Sequence, residues 1–170
     1  MFYGLRVLIA EDETIIRLDL RQMLEEFGME VVGEARDGLE AIELARETRP
    51  EVCIFDMKMP NLDGVEAARR VYAERPVPIV MLTAFSDERS VEKALGAGVF
   101  AYLAKPFTSR DVIPAIRAAA ARHEDLLAAR REVGKRGEPL EVTVRSSAGV
   151  EVPLRVRRKP DGTVDVDLAQ

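Results

Sequence analysis

One cysteine and one histidine occur in 170 residues, and each shortage excludes chemistry. A lone Cys53 rules out an intrachain disulfide framework and any cysteine-based metal cluster. A lone His123 leaves no histidine-rich metal site and makes a Ser-His-Asp arrangement untenable. No apolar run approaches the ~20 residues of a membrane span. The opening run Met1-Phe2-Tyr3-Gly4-Leu5-Arg6-Val7-Leu8-Ile9-Ala10 is too short for a secretory signal, and the acidic Glu11-Asp12-Glu13 after it is the wrong flank for one. The expected location is therefore the cytoplasm. Positive charge is also short: 25 Lys and Arg face 30 Asp and Glu, a formal net charge of -5. That balance argues against a general nucleic-acid surface, which needs a concentrated basic field. The remaining composition, 47% hydrophobic and 32% charged residues, suits a globular protein with one full core and a small appendage.

Five short apolar runs stand out, residues 5–10, 30–35, 51–56, 78–83 and 100–104, several of them apolar on successive positions and rich in Val and Ile, as strands covered on both faces of a parallel sheet are. Helical patterns lie between them. Ile16, Leu20, Met23 and Phe27 recur at helical spacing before a stop at Gly28. Asp37 with Glu40, and Asp63 with Glu66, have capping-box spacing. A fourth helix is predicted from Ser86 or Asp87 to Gly96-Ala97-Gly98, and a last one from the cap Thr108 to about Val133, with Pro114 kinking its first turns. Alternating strands and helices specify a doubly wound α/β domain, because parallel neighbours need crossover connections.

The chain divides into a main domain at 1–123, a helix extension and linker at 124–137, and a small β tail at 138–170. The far end of the last helix is expected to project. In the tail, Val142 and Val144, then Val150, Val152, Leu154 and Val156, then Val164, Val166 and Leu168 alternate with polar residues, the period of a strand. Turns at 146–149 and 159–163 make this a three-stranded meander. So small a unit needs a partner surface, either the main domain or a second chain. Its basic stripe, Arg155, Arg157, Arg158 and Lys159, is balanced by Asp161, Asp165 and Asp167, which reads as a solvated hairpin. Cys53 reads as an inert small hydrophobe and His123 as a solvated or interface residue.

In an open parallel sheet, functional groups gather at the carboxyl ends of the strands. Glu11 and Asp12 follow the first strand, Asp56 ends the third, Thr83 ends the fourth, and Lys105 follows the fifth. Each alone has a bland reading as a cap, turn or surface charge. Their joint placement is much harder to reach by chance. Three crowded carboxylates repel unless a cation shares the site. Mg²⁺ suits it, with Asp12 and Asp56 as direct ligands and Glu11 as a direct or water-mediated one. Lys105 and Thr83 then lie where they can bind phosphate oxygens. The constellation reads as aspartyl phosphorylation, a carboxylate being a competent nucleophile toward phosphoryl groups.

Ala10-Glu11-Asp12-Glu13, Asp56-Met57-Lys58-Met59-Pro60 with Asp63-Gly64, Leu82-Thr83-Ala84, and Ala101-Tyr102-Leu103-Ala104-Lys105-Pro106-Phe107 resemble the receiver domain of two-component response regulators. The resemblance covers roughly the first 120 residues. It implies a flavodoxin-like, five-stranded parallel sheet of order 2-1-3-4-5. It also implies Asp56 as phosphoacceptor, Glu11 and Asp12 as the acidic pair for Mg²⁺, and the Lys58 carbonyl as a further metal ligand. Thr83 and Tyr102 become the switch pair, Lys105 the phosphoryl contact, and Lys105-Pro106 a cis peptide. Phosphorylation adds about −1.5 to −2 charges at Asp56; Thr83 would move to bond a new oxygen, Tyr102 would turn inward, and the surface of the fourth helix, fifth strand and fifth helix would be biased. Stretches such as Ile16-Arg17-Leu18-Asp19-Leu20 and Ile113-Pro114-Ala115-Ile116 are most similar to receivers of antiterminator-type (ANTAR) regulators. An RNA-binding antiterminator-related regulator is the first alternative reading, although the β tail stands where those regulators carry their helical RNA-binding module; from length and pattern a winged-helix or helix-turn-helix output is not expected.

The resemblance implies a sensor histidine kinase or phosphotransfer protein as partner, no membrane, and no enzymatic activity beyond self-catalysed phosphotransfer and dephosphorylation. Output is expected through protein contacts, with the last helix and tail supporting a homodimer or docking a target. Two alternatives fit the residues less well. A haloacid-dehalogenase-like phosphatase expects an Asp two positions after Asp56, where Lys58 stands. A flavodoxin-like cofactor binder expects Ser, Thr and Gly after the first strand, where Glu11-Asp12-Glu13 would repel a phosphate.

Overall fold

The computed structural model describes residues 3–84, 99–136, 140–145, 151–159 and 164–168. Strands β1 (Arg6–Ala10), β2 (Glu30–Ala35), β3 (Val52–Asp56), β4 (Ile79–Thr83) and β5 (Val99–Ala104) form one parallel sheet of order β2-β1-β3-β4-β5. Helices α1 (Thr14–Glu26), α2 (Gly38–Thr48) and α3 (Gly64–Glu74) make the crossovers among the first four strands. The predicted fourth helix lies outside the described residues, and the next described helix, α4, runs Ser109–Arg136. Every residue of β3 and β4 is buried, which is why these strands read as unbroken apolar runs rather than as alternation.

The helix ends follow local chemistry. Asp37 and Asp63 cap α2 and α3 by accepting from the N–H groups of Glu40 and Glu66, both at 2.8 Å. Only half of each predicted capping box forms: the Glu40 carboxylate accepts instead from the Arg36 N–H at 3.4 Å, and Glu66 is held by Arg69 and Arg70. At α4 the Asp111 carboxylate accepts from both the N–H and the hydroxyl of Thr108. Gly28, at φ 82, closes α1 in the left-handed region that glycine enters without steric penalty. On α1 the fully inward positions are Arg17, Leu20 and Leu24, so the buried face is centred one position past the expected Ile16–Leu20–Met23–Phe27 stripe, and Phe27 is exposed.

The tail forms a second, antiparallel sheet of β6 (Leu140–Arg145), β7 (Glu151–Arg158) and β8 (Val164–Leu168), with β7 central. It contacts α4 through β6 and β7. Leu126 and Ala129 of α4 are buried, and Val156 of β7 joins them in the same continuous apolar core as the main sheet. The partner surface the tail needs is thus the chain's own helix; of the residues expected to project, Ala129 is buried and Arg130 half-buried, while Ala128 and Arg131 are exposed. A fully buried Leu or Val contributes roughly 1.5–3 kcal/mol, so Leu154 and Val156 give so small a sheet its anchor. Three cations of the basic stripe are ion-paired, Arg155 to Glu141 at 2.7 Å, Arg157 to Asp167 at 3.2 Å and Lys159 to Asp165 at 3.1 Å.

His123 is also corrected. It is buried on α4 against the edges of Tyr72 and Phe100, with ring centroids at 5.8 and 5.7 Å, and its Nδ1 lies 3.5 Å from the Tyr72 hydroxyl. The Arg130 guanidinium stands 5.3 Å from the centre of the Tyr72 ring, a cation–π contact closing the cluster. Burial, with Arg130 nearby, pulls the His123 pKa below its ordinary 6.5 despite the Glu124 carboxylate. Cys53, fully buried in β3, has its thiol pushed up to about 12 and is inert, as its place in an apolar run implied.

Candidate functional site at the carboxyl ends of the strands

The hydrogen-bond ladder of the sheet continues one residue past the strands and fixes the backbone of the site. The Glu11 N–H donates to Ala35 O at 3.0 Å, Met57 N–H to Leu82 O at 3.1 Å, and Lys105 N–H to Thr83 O at 2.8 Å. Glu11, Asp56, Thr83 and Lys105 are thereby brought to one end of the sheet. Carboxylate oxygens of Glu11, Asp12 and Asp56 lie within 4.8 Å of one another. The Lys105 ammonium is 2.9 Å from Glu11 Oε2 and 3.3 Å from Asp56 Oδ1. The Lys105–Pro106 peptide is cis.

Thr83 is buried and pairs with Ala104, while Tyr102 pairs with Met81. Side chains alternate along a strand, so Thr83 and Tyr102 are diagonal neighbours on one face of the sheet. Tyr102 is half-buried against the core. Lys58 follows β3 with an exposed side chain.

Electrically the site is unbalanced. Three carboxylates face one ammonium. Burial, reinforced by Asp56, lifts Glu11 from 4.5 to about 7, against the pull of Lys105 and the Glu13 N–H. Asp56 is raised as well, chiefly by burial and further by Asp12, with Lys105 opposing. Lys105 feels burial as a downward pull, but Glu11 and Asp56 outweigh it and hold its ammonium above the ordinary range. Glu11 Oε2 is wholly buried, and although ion-paired it receives no well-directed hydrogen bond. An excess of two negative charges, oxygen-only donors and an under-satisfied buried oxygen fit a hard divalent cation such as Mg²⁺. Glu11, Asp12 and Asp56 are the residues that can hold it.

Supporting residues carry no sequence motif of their own. Arg17, buried on α1, donates from Nη1 to Glu11 O at 2.8 Å and lies 3.6 Å from Glu34, which also binds Arg21 at 2.5 Å. A positive charge thus braces the backbone beneath the acidic pair. The only signal is an arginine on the inward face of an amphipathic helix, which hydrophobic patterning assigns to solvent. Gly64 is a second case: a Cβ there would fall 1.8 Å from Asp56 O, so only glycine lets α3 start against the end of β3. Asn61, at φ 67, ties the intervening loop to α2 by donating to Asp37 at 2.8 Å. A cavity of about 190 Å³ between α2 and α3, lined by Ile42, Arg46, Arg49 and Val71 among others, takes in none of the site residues.

Residues 7–117 match the model of the response regulator receiver domain. The chain belongs to that family. It is 52% identical over 136 residues to the transcriptional regulatory protein PdtaR of Mycobacterium tuberculosis, a match covering 80% of this chain and 66% of that protein. A protein-glutamate methylesterase/protein-glutamine glutaminase of Hahella chejuensis is 43% identical over 103 residues, 59% of this chain and 30% of that one. The chain therefore spans just under two thirds of the first relative and under a third of the second. Among solved structures, the receiver domain of a modulated diguanylate cyclase from Desulfovibrio desulfuricans superposes with TM-score 0.65 at 33% identity, covering 70% of this chain and 95% of that one. A response regulator receiver domain from Clostridium thermocellum gives TM-score 0.65 at 32% identity, with 71% and 98% covered. The flavodoxin-like receiver fold and the sheet order 2-1-3-4-5 expected from the motifs are those of the protein.

Proposed function

We propose that this receiver is a Mg²⁺-dependent phosphoacceptor whose phosphoryl group is carried on Asp56 and donated by a sensor histidine kinase or phosphotransfer protein. The observation that carries the reading is the convergence of Glu11, Asp12, Asp56 and Lys105 within ion-pair distance at one sheet end. An Asp56 carboxylate oxygen attacks phosphorus as the bond to the donor's leaving group breaks. Lys105 screens the charge on Asp56 and stands ready to bind a phosphoryl oxygen, with Thr83 offering a hydroxyl from the next strand. Glu11, Asp12, Asp56 and the Lys58 carbonyl hold the cation, which when bound supplies charge neutralisation to the transferring group. The bracing of Glu11 O by Arg17 keeps the acidic pair in place while charges change around it.

The shared face of Thr83 and Tyr102 supports their role as a switch pair: a new phosphoryl oxygen draws Thr83 toward Asp56 and frees room beside Tyr102. Output runs through protein contacts in the cytoplasm, without catalysis of a second substrate's turnover. A nucleic-acid output has less support, since Arg155, Arg157 and Lys159 of the tail are already ion-paired to carboxylates. Incubation with Mg²⁺ and a small acyl phosphate should add one phosphoryl group by intact mass. Asp56→Asn should abolish the addition; equal labelling of that variant removes Asp56 from the role.

A further inference from the structure

Among the described residues the tail sheet has two edge strands, β6 and β8, and their sequences differ in what they admit. On β8, antiparallel pairing of a second copy about Val166 sets Asp165 against Asp167 twice. Like charges directly opposite repel, and acidic residues along an edge are a common guard against pairing. β6 reads Leu140-Glu141-Val142-Thr143-Val144-Arg145. Antiparallel pairing about Thr143 sets Glu141 against Arg145 twice, Val142 against Val144 twice, and Thr143 against itself. None of the five sets like charges together: two are opposite-charge pairs, in which Glu141 would share its carboxylate between Arg155 of its own sheet at 2.7 Å and the incoming Arg145, two are β-branched pairs and one is a threonine pair.

The register within the sheet decides where the β6 backbone groups point. Thr143 lies opposite Pro153 of the central strand. Directly opposed residues in an antiparallel ladder exchange two N–H···O bonds or none, and Pro153 has no N–H to exchange. The pair is therefore of the non-bonded kind, and the Thr143 N–H and C=O face away from β7. By the period of two, so do those of Glu141 and Arg145. The residues that are self-complementary in charge are thus the ones whose backbone groups face outward from β7 at the edge. Thr143 and Glu141 are exposed, and α4 lies against β6 and β7.

We propose that the β6 edge is a surface for a second copy of this chain: two protomers pair β6 antiparallel about a two-fold axis at Thr143, joining their tails into one six-stranded sheet. Such an interface is isologous, each side offering the other the same patch, as a two-fold requires. The palindromic charge order selects a second copy over an unrelated extended peptide. A six-residue strand pair is small beside a standard interface, so dissociation on the order of micromolar is expected. The dimer does not depend on phosphorylation of Asp56.

Sedimentation velocity of the full chain through the micromolar range should show a monomer–dimer equilibrium. Thr143→Lys, at a position exposed in the monomer, sets two ammonium groups together on the axis and should weaken it roughly fivefold or more. Thr143→Pro removes both central donors and should weaken it roughly thirtyfold. In Thr143→Cys the introduced thiol is the reactive one, since Cys53 is buried and inert. Opposed residues of a bonded pair stand about 5.5 Å apart, within disulfide reach, so mild oxidation should yield a covalent dimer. Glu141→Cys places its two thiols about 13 Å apart along the strands and should not. A monomer at every concentration, a dimer indifferent to Thr143→Lys and Thr143→Pro, or equal cross-linking of the two cysteine variants overturns the proposal. The cross-linking contrast decides the matter even if Thr143→Pro unfolds the tail.

Discussion

Replacing Glu11 by glutamine should stabilise the metal-free protein, and the gain should depend on pH in a direction fixed by the burial of this carboxylate. Glu11 is wholly buried and its pKa is lifted from 4.5 to about 7. A carboxyl that holds its proton more tightly folded than unfolded makes the native state bind the extra proton between those values. Stability is then lost as pH rises through the window, by at most about 3 kcal/mol once both states are ionised. Glutamine cannot ionise, so the difference between variant and wild type should grow from pH 5 to pH 8 in the variant's favour. His123 titrates in the same range with the opposite sign: its lowered pKa makes stability fall as pH drops below its ordinary 6.5. Taking the difference between two proteins that both contain His123 cancels that contribution. Urea unfolding at a series of pH values, without divalent cation, measures it. Saturating Mg²⁺ should reverse the order at pH 8, because the wild type then gains binding energy that glutamine forfeits. A difference flat across pH, or insensitive to Mg²⁺, would show that Glu11 is not the strained, cation-seeking carboxylate inferred from its surroundings.

Individual contacts lead to four further outcomes. Gly64→Ala drives a methyl group into the Asp56 carbonyl and should cost about 2–4 kcal/mol by urea unfolding, more than Gly4→Ala, where open space leaves mainly the cost of a positive φ. Arg17→Gln should both destabilise the fold, by about 2–4 kcal/mol, and weaken Mg²⁺ binding by titration calorimetry, whereas Arg21→Gln on the same network but more exposed should do neither to that degree. Leu154→Ala should cost about 2–4 kcal/mol locally, read as faster hydrogen exchange in β7 and the strands paired with it, with β1, β3 and β4 unchanged. Cys53 should resist thiol reagents in native protein at pH 8 and react at once in urea, and fast native reaction would contradict its burial.

Much of the main domain could be read from residues alone because its constraints are local. Buried strands are apolar without interruption, and helices between them are bounded by Asp37, Asp63 and Gly28, each with its own short-range reason to stand at an end. The site was legible for a related reason: in a parallel sheet, position along a strand determines which end of the molecule a residue reaches, so Glu11, Asp12, Asp56 and Lys105 had to converge once the strands were placed. What escaped were residues whose role depends on neighbours far away in sequence. Nothing local distinguishes an inward Arg17 from a solvated one until Glu34 and the Glu11 carbonyl are beside it. His123 likewise needed Tyr72, fifty-one positions earlier, to become a core residue. That Ala129 would be buried escaped because the strands packed on this helix come later in the chain, and period-two patterning says which face of them is apolar but not what it will meet.

The placement of the tail has a consequence for how the two ends of the molecule communicate. α4 starts four residues after Lys105 and runs 28 residues to Arg136, about 42 Å at 1.5 Å per residue. Its first part packs on β5 and its last part carries the tail sheet, so one rigid element touches both the charged site and the surface on which β6 is displayed. Between them sit two clamps: Arg122, which donates to the Phe100 carbonyl at 2.7 Å, and the ring cluster of Tyr72, Phe100 and His123. Among the described elements, α4 is the one that links Lys105 to the tail, and it would carry a change there by shifting as a body against these clamps, its interior being broken just by the bond removed at Pro114 near its start. Loosening the cluster with Tyr72→Leu should therefore leave phosphorylation of Asp56 intact while raising hydrogen exchange along both the second half of α4 and β7. If exchange rises in α4 alone, the tail is held independently of the clamp, and the site and the tail are mechanically separate.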